Sequence, residues 1–203
     1  MFTYLGDRVR GAIVADCGCG PGVVIEKFAN RGAACIFAVD VNQAMLKQMR
    51  QRLSAAGLYG RVIEVHQRFA PALFINLRQH FLNGNTFDII LFKRSLYLPI
   101  EQALPILTEA AASLSRRGVL VLIHGDRCWQ NYVLGPDGRP TGYTLYHFFN
   151  RMISLLGEKS GAGSYKLYSR FELLALLNDT FPQNRVEAIP SQQKAYNLFA
   201  VLN

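Results

Sequence analysis

The stretch that decides the fold is Val14-Ala15-Asp16-Cys17-Gly18-Cys19-Gly20-Pro21-Gly22. It overlaps the end of an apolar run at residues 12–15, which predicts a first β-strand, and it precedes a helical pattern at residues 23–30. Gly18 and Gly20 lack the Cβ atoms that would keep a ligand away from the backbone, and glycine also tolerates positive φ in a tight turn. The pattern therefore indicates a strand–loop–helix unit that can hold a ligand against its backbone, and a bare tight turn is the alternative.

Apolar runs alternate with helical patterns along the rest of the chain, which is typical of βαβ units around a parallel sheet. Pro105 lies inside the helical pattern before the fifth strand, so we expect that helix to start late or to be kinked. The last two strands are predicted to form an antiparallel hairpin. The sequence therefore predicts an α/β fold with a Rossmann-like, doubly wound, seven-stranded sheet that is mostly parallel with an antiparallel last strand. The predicted strands are residues 12–15, 35–39, 62–65, 87–92, 119–123, 186–189 and 196–202.

The composition predicts one globular domain over residues 1–203, since 50% of the residues are apolar and only 18% are charged. The alternating pattern breaks at residues 126–168, which we interpret as a substrate-covering insertion after the fifth strand. The chain has no apolar run of roughly 18–20 residues and no signal-peptide pattern at its start, so we expect a cytoplasmic protein without a membrane anchor. The four cysteines lack zinc-site spacing, so we expect reduced thiols and no metal.

A second acidic residue, Asp40, ends the second predicted strand. In doubly wound sheets a carboxylate at this place can accept hydrogen bonds from ribose hydroxyls. The alternative is an exposed aspartate that caps the next helix. Because a glycine-rich loop precedes Asp40, we favour the ribose role.

These motifs together resemble class I S-adenosylmethionine-dependent methyltransferases. The stretch from Asp16 to Gly22 is similar to their first motif, D/E-x-G-x-G-x-G, and residues 39–46 are similar to their second motif. Residues 87–91 resemble their fourth strand, and residues 114–122 resemble the approach to their fifth strand. The terminal hairpin fits their reversed last strand.

The resemblance implies S-adenosylmethionine as the cofactor. Asp16 and the glycine loop would face its methionine part, Asp40 would bind its ribose, and Val41 and Met45 would pack near its adenine. The cofactor-binding residues implied in this way are Asp16, Cys17, Gly18, Cys19, Gly20, Gly22, Asp40, Val41, Asn42, Met45, Gln67, Phe69 and Lys93.

The chain departs from the family pattern in two places. The acidic residue that often follows the third strand is absent, and Gln67 and Phe69 are the candidates to contact the adenine instead. Only about 11 residues precede the first strand, so the cover of the site is expected from residues 126–168 or from a partner subunit, for example in a homodimer. A nicotinamide-binding fold is less favoured, because the glycines do not follow G-x-G-x-x-G.

Methyl transfer from a sulfonium mainly requires alignment of the acceptor and exclusion of water. His124 and Asp126 follow the fifth predicted strand and Tyr97 follows the fourth, so these three are the candidate catalytic residues. A histidine there can act as a general base near neutral pH, and a structural histidine is the alternative.

The predicted acceptor is a small molecule, aromatic or anionic, because residues 126–168 are rich in aromatic rings and the net charge is +8. The stretch Lys93-Arg94-Ser95-Leu96 also lacks the Asn/Asp-Pro-Pro-Tyr/Phe motif of enzymes that methylate base or amide nitrogens. RNA or protein methylation is the alternative, with nucleic acid a less favoured partner. A third hypothesis is a catalytically silent, cofactor-binding partner subunit.

Overall fold

A seven-stranded β-sheet runs through the part of the chain that the computed structural model describes, namely residues 1–96, 98, 100–125, 170–189 and 196–202. The spatial order is β3-β2-β1-β4-β5-β7-β6. Neighbours from β3 to β5 are parallel, and β7 is antiparallel to both β5 and β6, which confirms the predicted topology. The strands are β1 (Ile13–Cys17), β2 (Cys35–Asp40), β3 (Val62–His66), β4 (Phe87–Lys93), β5 (Leu114–Gly125), β6 (Arg185–Ile189) and β7 (Tyr196–Leu202).

Helices cover both faces of this sheet, and each face has its own apolar core. The alternation of side chains along β4 separates the two cores, since Ile90 and Phe92 belong to one and Ile89 and Leu91 belong to the other. The described α-helices are α1 (Phe2–Leu5), α2 (Val23–Asn30), α3 (Gln43–Ala55), α4 (Leu73–Phe81), α5 (Ile100–Ala112) and α6 (Arg170–Thr180).

Strand β5 is longer than predicted, because it begins at Leu114 rather than at Val119. Leu114 pairs with Phe87 and Val119 pairs with Ile89, so the register between β4 and β5 shifts at this point. A Cβ atom on Gly118 would lie 2.8 Å from the Leu114 Cβ, so only glycine fits the irregular segment. The prediction located the regular part of the strand and missed the bulged part before it.

Two helices also differ from the sequence expectations. Helix α5 begins at Ile100 and continues through Pro105, so it does not start late, and the alternative of a kink at Pro105 stays a prediction. In α3 the buried residues are Leu46, Met49 and Leu53, whereas Met45 is half-buried. The sequence pattern predicts that Met45, Met49, Leu53 and Ala56 share one buried face, but Ala56 lies exposed beyond the end of the helix because α3 stops at Ala55.

Helix α4 begins against a carboxylate from α5. The Glu109 side chain accepts hydrogen bonds from the backbone N–H groups of Ala72 (2.5 Å), Phe74 (2.7 Å) and Ile75 (3.0 Å). A helix N-terminus leaves such N–H groups without intrahelical partners, and its dipole favours negative charge. Glu109 therefore caps α4 from a neighbouring helix.

Replacing Glu109 by alanine is expected to lower the free energy of unfolding by about 2 kcal/mol, because several N–H groups lose a charged acceptor. Urea denaturation measures this change. Glu101→Ala is the control, since Glu101 is an exposed glutamate in the first turn of α5 and its removal loses only its interaction with the helix dipole, about 1 kcal/mol or less. Equal stability of the two variants would contradict the capping role.

The predicted insertion at residues 126–168 lies outside the described residues, and so do the candidates Tyr97 and Asp126. Among the helices that are described, none has the length and apolar content needed to cross a membrane.

Candidate functional site

The candidate site lies where the carboxyl ends of β1 and β4 meet. These two strands are neighbours in the sheet, and the chain continues from β1 toward β2 on one side and from β4 toward β5 on the other. Such a switch in strand order opens a crevice that ligands occupy in doubly wound folds. The loop from Gly18 to Gly22 and the turn at Arg94 and Ser95 flank this crevice.

The glycine loop is held against the end of β2. The N–H groups of Gly18 and Cys19 both donate to the Val39 carbonyl oxygen, at 2.7 and 3.1 Å. Gly18, Gly20 and Gly22 have φ values of 79°, 54° and 80°, which residues with a Cβ adopt only with strain. The backbone of the loop therefore favours glycine at all three positions.

The three glycines differ in the space beside them. A Cβ atom on Gly18 would lie 2.2 Å from the Ser95 Cβ, and one on Gly22 would lie 2.4 Å from the Met49 Cγ. A Cβ atom on Gly20 would meet nothing within 4 Å. Gly18 and Gly20 were both predicted to leave space for a ligand. This reason is wrong for Gly18, whose missing side chain makes room for Ser95. Of the three glycines, Gly20 alone faces open space.

The Asp40 carboxylate joins the glycine loop to the turn after β2. Its Oδ2 accepts a hydrogen bond from the Gly20 N–H at 2.8 Å, and its Oδ1 accepts one from the Asn42 N–H at 2.8 Å. Each carboxylate oxygen has further lone-pair capacity, so these bonds orient the group and leave it able to accept from a ligand. The predicted ribose contact of Asp40 stays a prediction.

Of the residues just after Asp40, Asn42 has a structural role and Val41 is exposed. The Asn42 side chain caps α3, since its Oδ1 accepts hydrogen bonds from the N–H groups of Ala44 (2.9 Å) and Met45 (3.4 Å). Val41 is 53% exposed, and its carbonyl oxygen lies 2.9 Å from the His66 Nε2. Val41 and the half-buried Met45 therefore offer apolar surface, whereas Asn42 already serves the helix.

Asp16 is a buried carboxyl group, 1% exposed, whose Oδ2 has no hydrogen-bond partner within the described ranges. Burial raises its pKa to about 7; the positive charge of Lys93 opposes this increase and the charge of Asp40 adds to it. Burial likewise lowers the pKa of the half-buried Lys93, and Asp16 opposes that decrease. The alternation of β1 and β4 places Asp16 and Lys93 on the same face of the sheet, with Val14 and Leu91.

The two cysteines of the motif have their side chains in the interior. Cys17 is fully buried in the core on the face opposite Asp16, because β1 continues through it. Its side chain therefore lies in the core on that face, and the predicted cofactor contact of Cys17 stays a prediction. Cys19 is also buried, and burial followed by the charge of Asp16 raises the pKa of its thiol. Both thiols stay protonated and are poor nucleophiles.

The predicted adenine contacts lie after β3. Gln67 is exposed, and its backbone N–H donates to the Asp40 carbonyl oxygen at 3.2 Å. Phe69 is half-buried and packs edge-to-face on Phe92, with 5.5 Å between ring centroids. Gln67 therefore lies beside the Asp40 turn, and Phe69 belongs partly to the core.

The predicted catalytic histidine lies inside a strand. His124 is 4% exposed and pairs with Asn197 of β7, since β5 extends to Gly125 instead of ending at Ile123. Alternation along β5 places His124 on the face of Leu122, opposite the face of Asp16 and Lys93. The structure thus corrects the expectation that His124 follows the strand, and it does not bring His124 together with those two residues.

Two polar side chains that the sequence analysis did not single out hold the loop. The Ser95 Oγ donates to the Cys17 carbonyl oxygen at 2.5 Å, and the Arg52 Nε donates to the Pro21 carbonyl oxygen at 3.1 Å. Neither residue belongs to a motif, and both contacts join residues distant in sequence. Only the position of Ser95 just after β4 could have indicated its role.

Comparison with known proteins identifies the family. A sequence profile described as a methyltransferase domain matches residues 14–118, which is more than half of the chain. The chain belongs to this methyltransferase family. The matched region contains the glycine loop, Asp40 and Lys93, so these crevice residues lie inside the part of the chain that resembles the family.

Solved methyltransferase structures share the fold. An O-methyltransferase family protein from Burkholderia thailandensis superposes with a TM-score of 0.68 at 16% identity, over 98% of this chain and 53% of that chain. Magnesium protoporphyrin IX methyltransferase from Synechocystis PCC 6803, solved with bound SAH, gives a TM-score of 0.62 at 18% identity, over 96% of this chain and 75% of that chain. This methyltransferase chain thus spans about half the length of the first neighbour.

A curated rice protein (Oryza sativa subsp. indica) described as probable protein arginine N-methyltransferase 6.1 is 37% identical over 60 residues. The match covers 30% of this chain and 16% of the rice protein. The similarity therefore concerns a short part of both proteins.

Methyltransferases of this family use S-adenosylmethionine. Two features of the crevice fit this cofactor. Gly20 faces open space within a loop whose other two motif glycines are closely packed, and the buried Asp16 Oδ2 has no hydrogen-bond partner among the residues described. The first feature leaves room against the backbone, and the second supplies a polar group that a ligand can satisfy.

Proposed function

We propose that this chain binds S-adenosylmethionine against Gly20, between Asp16 and Asp40, and transfers its methyl group to a small-molecule acceptor. The observation that carries the proposal is the open space beside Gly20, where a Cβ atom would have no neighbour within 4 Å. Open space also lies beside glycines of other turns, such as Gly57, and Gly20 differs from them because its N–H is bonded to the Asp40 carboxylate at the carboxyl ends of the parallel strands.

Asp16 and Lys93 are assigned to the amino-acid part of the cofactor. That part carries an ammonium and a carboxylate group, and the two side chains offer the opposite charges on one face of the sheet. The Asp16 carboxylate would pair with the ammonium group, which relieves the burial of an otherwise unpartnered oxygen. The Lys93 ammonium, which ends β4, would pair with the carboxylate.

Asp40, Val41, Met45 and Gln67 are assigned to the adenosine part. The Gly20 and Asn42 N–H groups hold the Asp40 carboxylate in place for the ribose hydroxyls. Exposed Val41 supplies apolar surface near the adenine ring, and Gln67 supplies an amide beside the same turn.

The bound cofactor supplies an electrophilic methyl group, and the chain's part is to align the acceptor with it and to keep water out. Tyr97 and Asp126 remain the predicted residues on the acceptor side, since both follow strands whose carboxyl ends border the crevice. His124 retains only an indirect role in this proposal, because its side chain lies on the other face of the sheet.

The small-molecule class of the acceptor is supported by the missing Asn/Asp-Pro-Pro-Tyr/Phe motif at residues 93–96 and by the aromatic residues in the segment 126–168. RNA or protein methylation is the second candidate, favoured by the net charge of +8 and by the short similarity to an arginine methyltransferase. A cofactor-binding subunit without activity is the third.

Transfer of a radiolabelled methyl group from S-adenosylmethionine separates these candidates. The acceptors are a panel of phenols and aromatic carboxylates, total RNA, and an arginine-rich peptide. The proposal predicts label on a low-molecular-mass acceptor and none on RNA or peptide. Label on RNA or peptide alone would favour the second candidate, and cofactor binding without any transfer would favour the third.

Asp40→Ala is expected to weaken binding of S-adenosylhomocysteine about 10- to 100-fold, because hydrogen bonds to a charged group contribute roughly 1.5–3 kcal/mol. Isothermal titration calorimetry measures the dissociation constant. Asp7→Ala is the control, since Asp7 is exposed and lies before β1, outside the crevice. An unchanged dissociation constant for Asp40→Ala would remove Asp40 from the site.

A further inference from the structure

The chain turns sharply after β4 and comes back over the glycine loop. The Arg94 N–H donates to the Ile123 carbonyl oxygen at 2.8 Å, which ties the turn to the neighbouring strand β5. Arg94 has a φ of 56°, a left-handed conformation that is uncommon for a residue with a Cβ. This backbone directs the next residue, Ser95, toward the end of β1.

The Ser95 side chain makes two contacts with the start of the loop. Its Oγ donates to the Cys17 carbonyl oxygen at 2.5 Å, between residues 78 positions apart in the chain. Its Cβ fills the space beside Gly18, where a Cβ on the glycine would lie only 2.2 Å away. A small side chain with a hydroxyl group satisfies both contacts, whereas a larger one would push the loop away from β4.

The loop is thus held from two sides. On the β2 side, Gly18 and Cys19 donate to the Val39 carbonyl oxygen and Gly20 donates to the Asp40 carboxylate. On the β4 side, Cys17 is paired with Phe92 in the sheet, and beyond the strand end Ser95 bonds the Cys17 carbonyl oxygen and packs on Gly18. Loss of one side should let the loop move although the strands remain paired.

We propose that Ser95 is a positioning residue that fixes the glycine loop for the cofactor without touching the cofactor itself. This inference rests on the proposed function, because it assigns the effect of Ser95 to the binding of S-adenosylmethionine. Ser95 acts through Cys17 and Gly18 on Gly20, the position that faces the open space.

The test compares Ser95→Ala with Ser115→Ala. Ser115 is a matched control because its Oγ also links two strands, donating to the Asp88 Oδ1 at 2.9 Å, but Asp88 also binds the N–H of Ile13 at the other end of β1. Each variant is titrated with S-adenosylhomocysteine, its stability is measured in urea, and amide hydrogen exchange is followed at Gly18 and Gly20 without ligand.

Ser95→Ala is expected to weaken S-adenosylhomocysteine binding about fivefold, the effect of losing one hydrogen bond, and to speed amide exchange at Gly18 and Gly20. Ser115→Ala should leave the ligand affinity and the amide exchange at the wild-type level, even if it lowers the free energy of unfolding as much as Ser95→Ala does. Unchanged binding and exchange in Ser95→Ala would overturn the proposal, and so would equal weakening in both variants. Failure of the wild type to bind the ligand would contradict the proposed function, and faster exchange in Ser95→Ala alone would still support the role of Ser95 in holding the loop.

Discussion

Replacing Asp16 by asparagine is expected to stabilise the ligand-free protein at pH 8 by a few kcal/mol while weakening its binding of S-adenosylmethionine. The reason is the burial of the carboxyl group, which raises its pKa from 3.8 to about 7. Each unit of pKa difference between folded and unfolded states corresponds to about 1.4 kcal/mol. The charged form of Asp16 at pH 8 therefore opposes folding, and the neutral amide removes that opposition.

The stability of the wild-type protein should change with pH because the pKa of Asp16 differs between the folded and the unfolded protein. The folded protein keeps the Asp16 proton up to about pH 7, whereas the unfolded chain releases it near pH 3.8. A raised acid pKa means that stability from this group is greatest at low pH and declines as the pH rises through this range. The stability gained by Asp16→Asn should thus be roughly 2–3 kcal/mol larger at pH 8 than at pH 5.

Urea denaturation of wild type and Asp16→Asn at both pH values measures the difference, and Asp7→Asn is the control for an exposed aspartate. The control should change stability little at either pH. Binding of S-adenosylmethionine to the wild type should also strengthen as the pH rises through about 7, because the carboxylate then carries the charge that the ammonium group requires. A variant that is less stable than the wild type at pH 8 would show that the Asp16 charge is already compensated within the protein.

Gly20→Ala is expected to weaken S-adenosylhomocysteine binding about 10- to 100-fold, because its methyl group would occupy the space assigned to the cofactor. Overfilling a well-packed contact costs about 1–3 kcal/mol, which corresponds to this range. The folded protein itself should lose only about 1 kcal/mol, since the substitution strains a residue with φ of 54° but meets no neighbour. Calorimetry and urea denaturation measure the two effects.

Gly57→Ala is the matched control for Gly20→Ala. Gly57 has a φ of 68°, and a Cβ atom on it would also meet nothing within 4 Å, so the strain is similar. It lies just after α3, and the 13 residues of this helix separate it from the Asp40 turn by about 20 Å along the helix axis. Equal loss of affinity in both variants would mean that the open space beside Gly20 is not the cofactor site.

The fold could be predicted from the sequence because the apolar periodicity and the glycine loop both indicate strands that alternate with helices around a parallel sheet. Runs of apolar residues located every strand in the described part of the chain, and the terminal hairpin indicated the antiparallel end of the sheet. The segment from Leu114 to Gly118 was missed because its polar residues hide a bulge that depends on pairing with β4. The predicted buried face of α3 was right for Met49 and Leu53 and wrong at its start, where Leu46 is buried instead of Met45.

The candidate site could be predicted from the sequence only in part, because some of its contacts join residues that are distant in the chain. Motif spacing located Asp16, Gly20 and Asp40, whose roles depend on the local strand–loop–helix unit. It could not show that Gly18 makes room for Ser95, because that contact joins distant parts of the chain. His124 was misplaced because the pairing of β5 with β7 extends the strand beyond its apolar core.

The crevice beside Gly20 is proposed to hold the adenosyl and amino-acid parts that S-adenosylmethionine shares with S-adenosylhomocysteine. Isothermal titration of the wild-type protein with S-adenosylhomocysteine, beside NAD⁺ as the competing dinucleotide, tests it most directly. We predict saturable heat at one site for S-adenosylhomocysteine and none for NAD⁺. Absence of heat with S-adenosylhomocysteine at millimolar concentration, or saturable binding of NAD⁺ instead, would contradict the account.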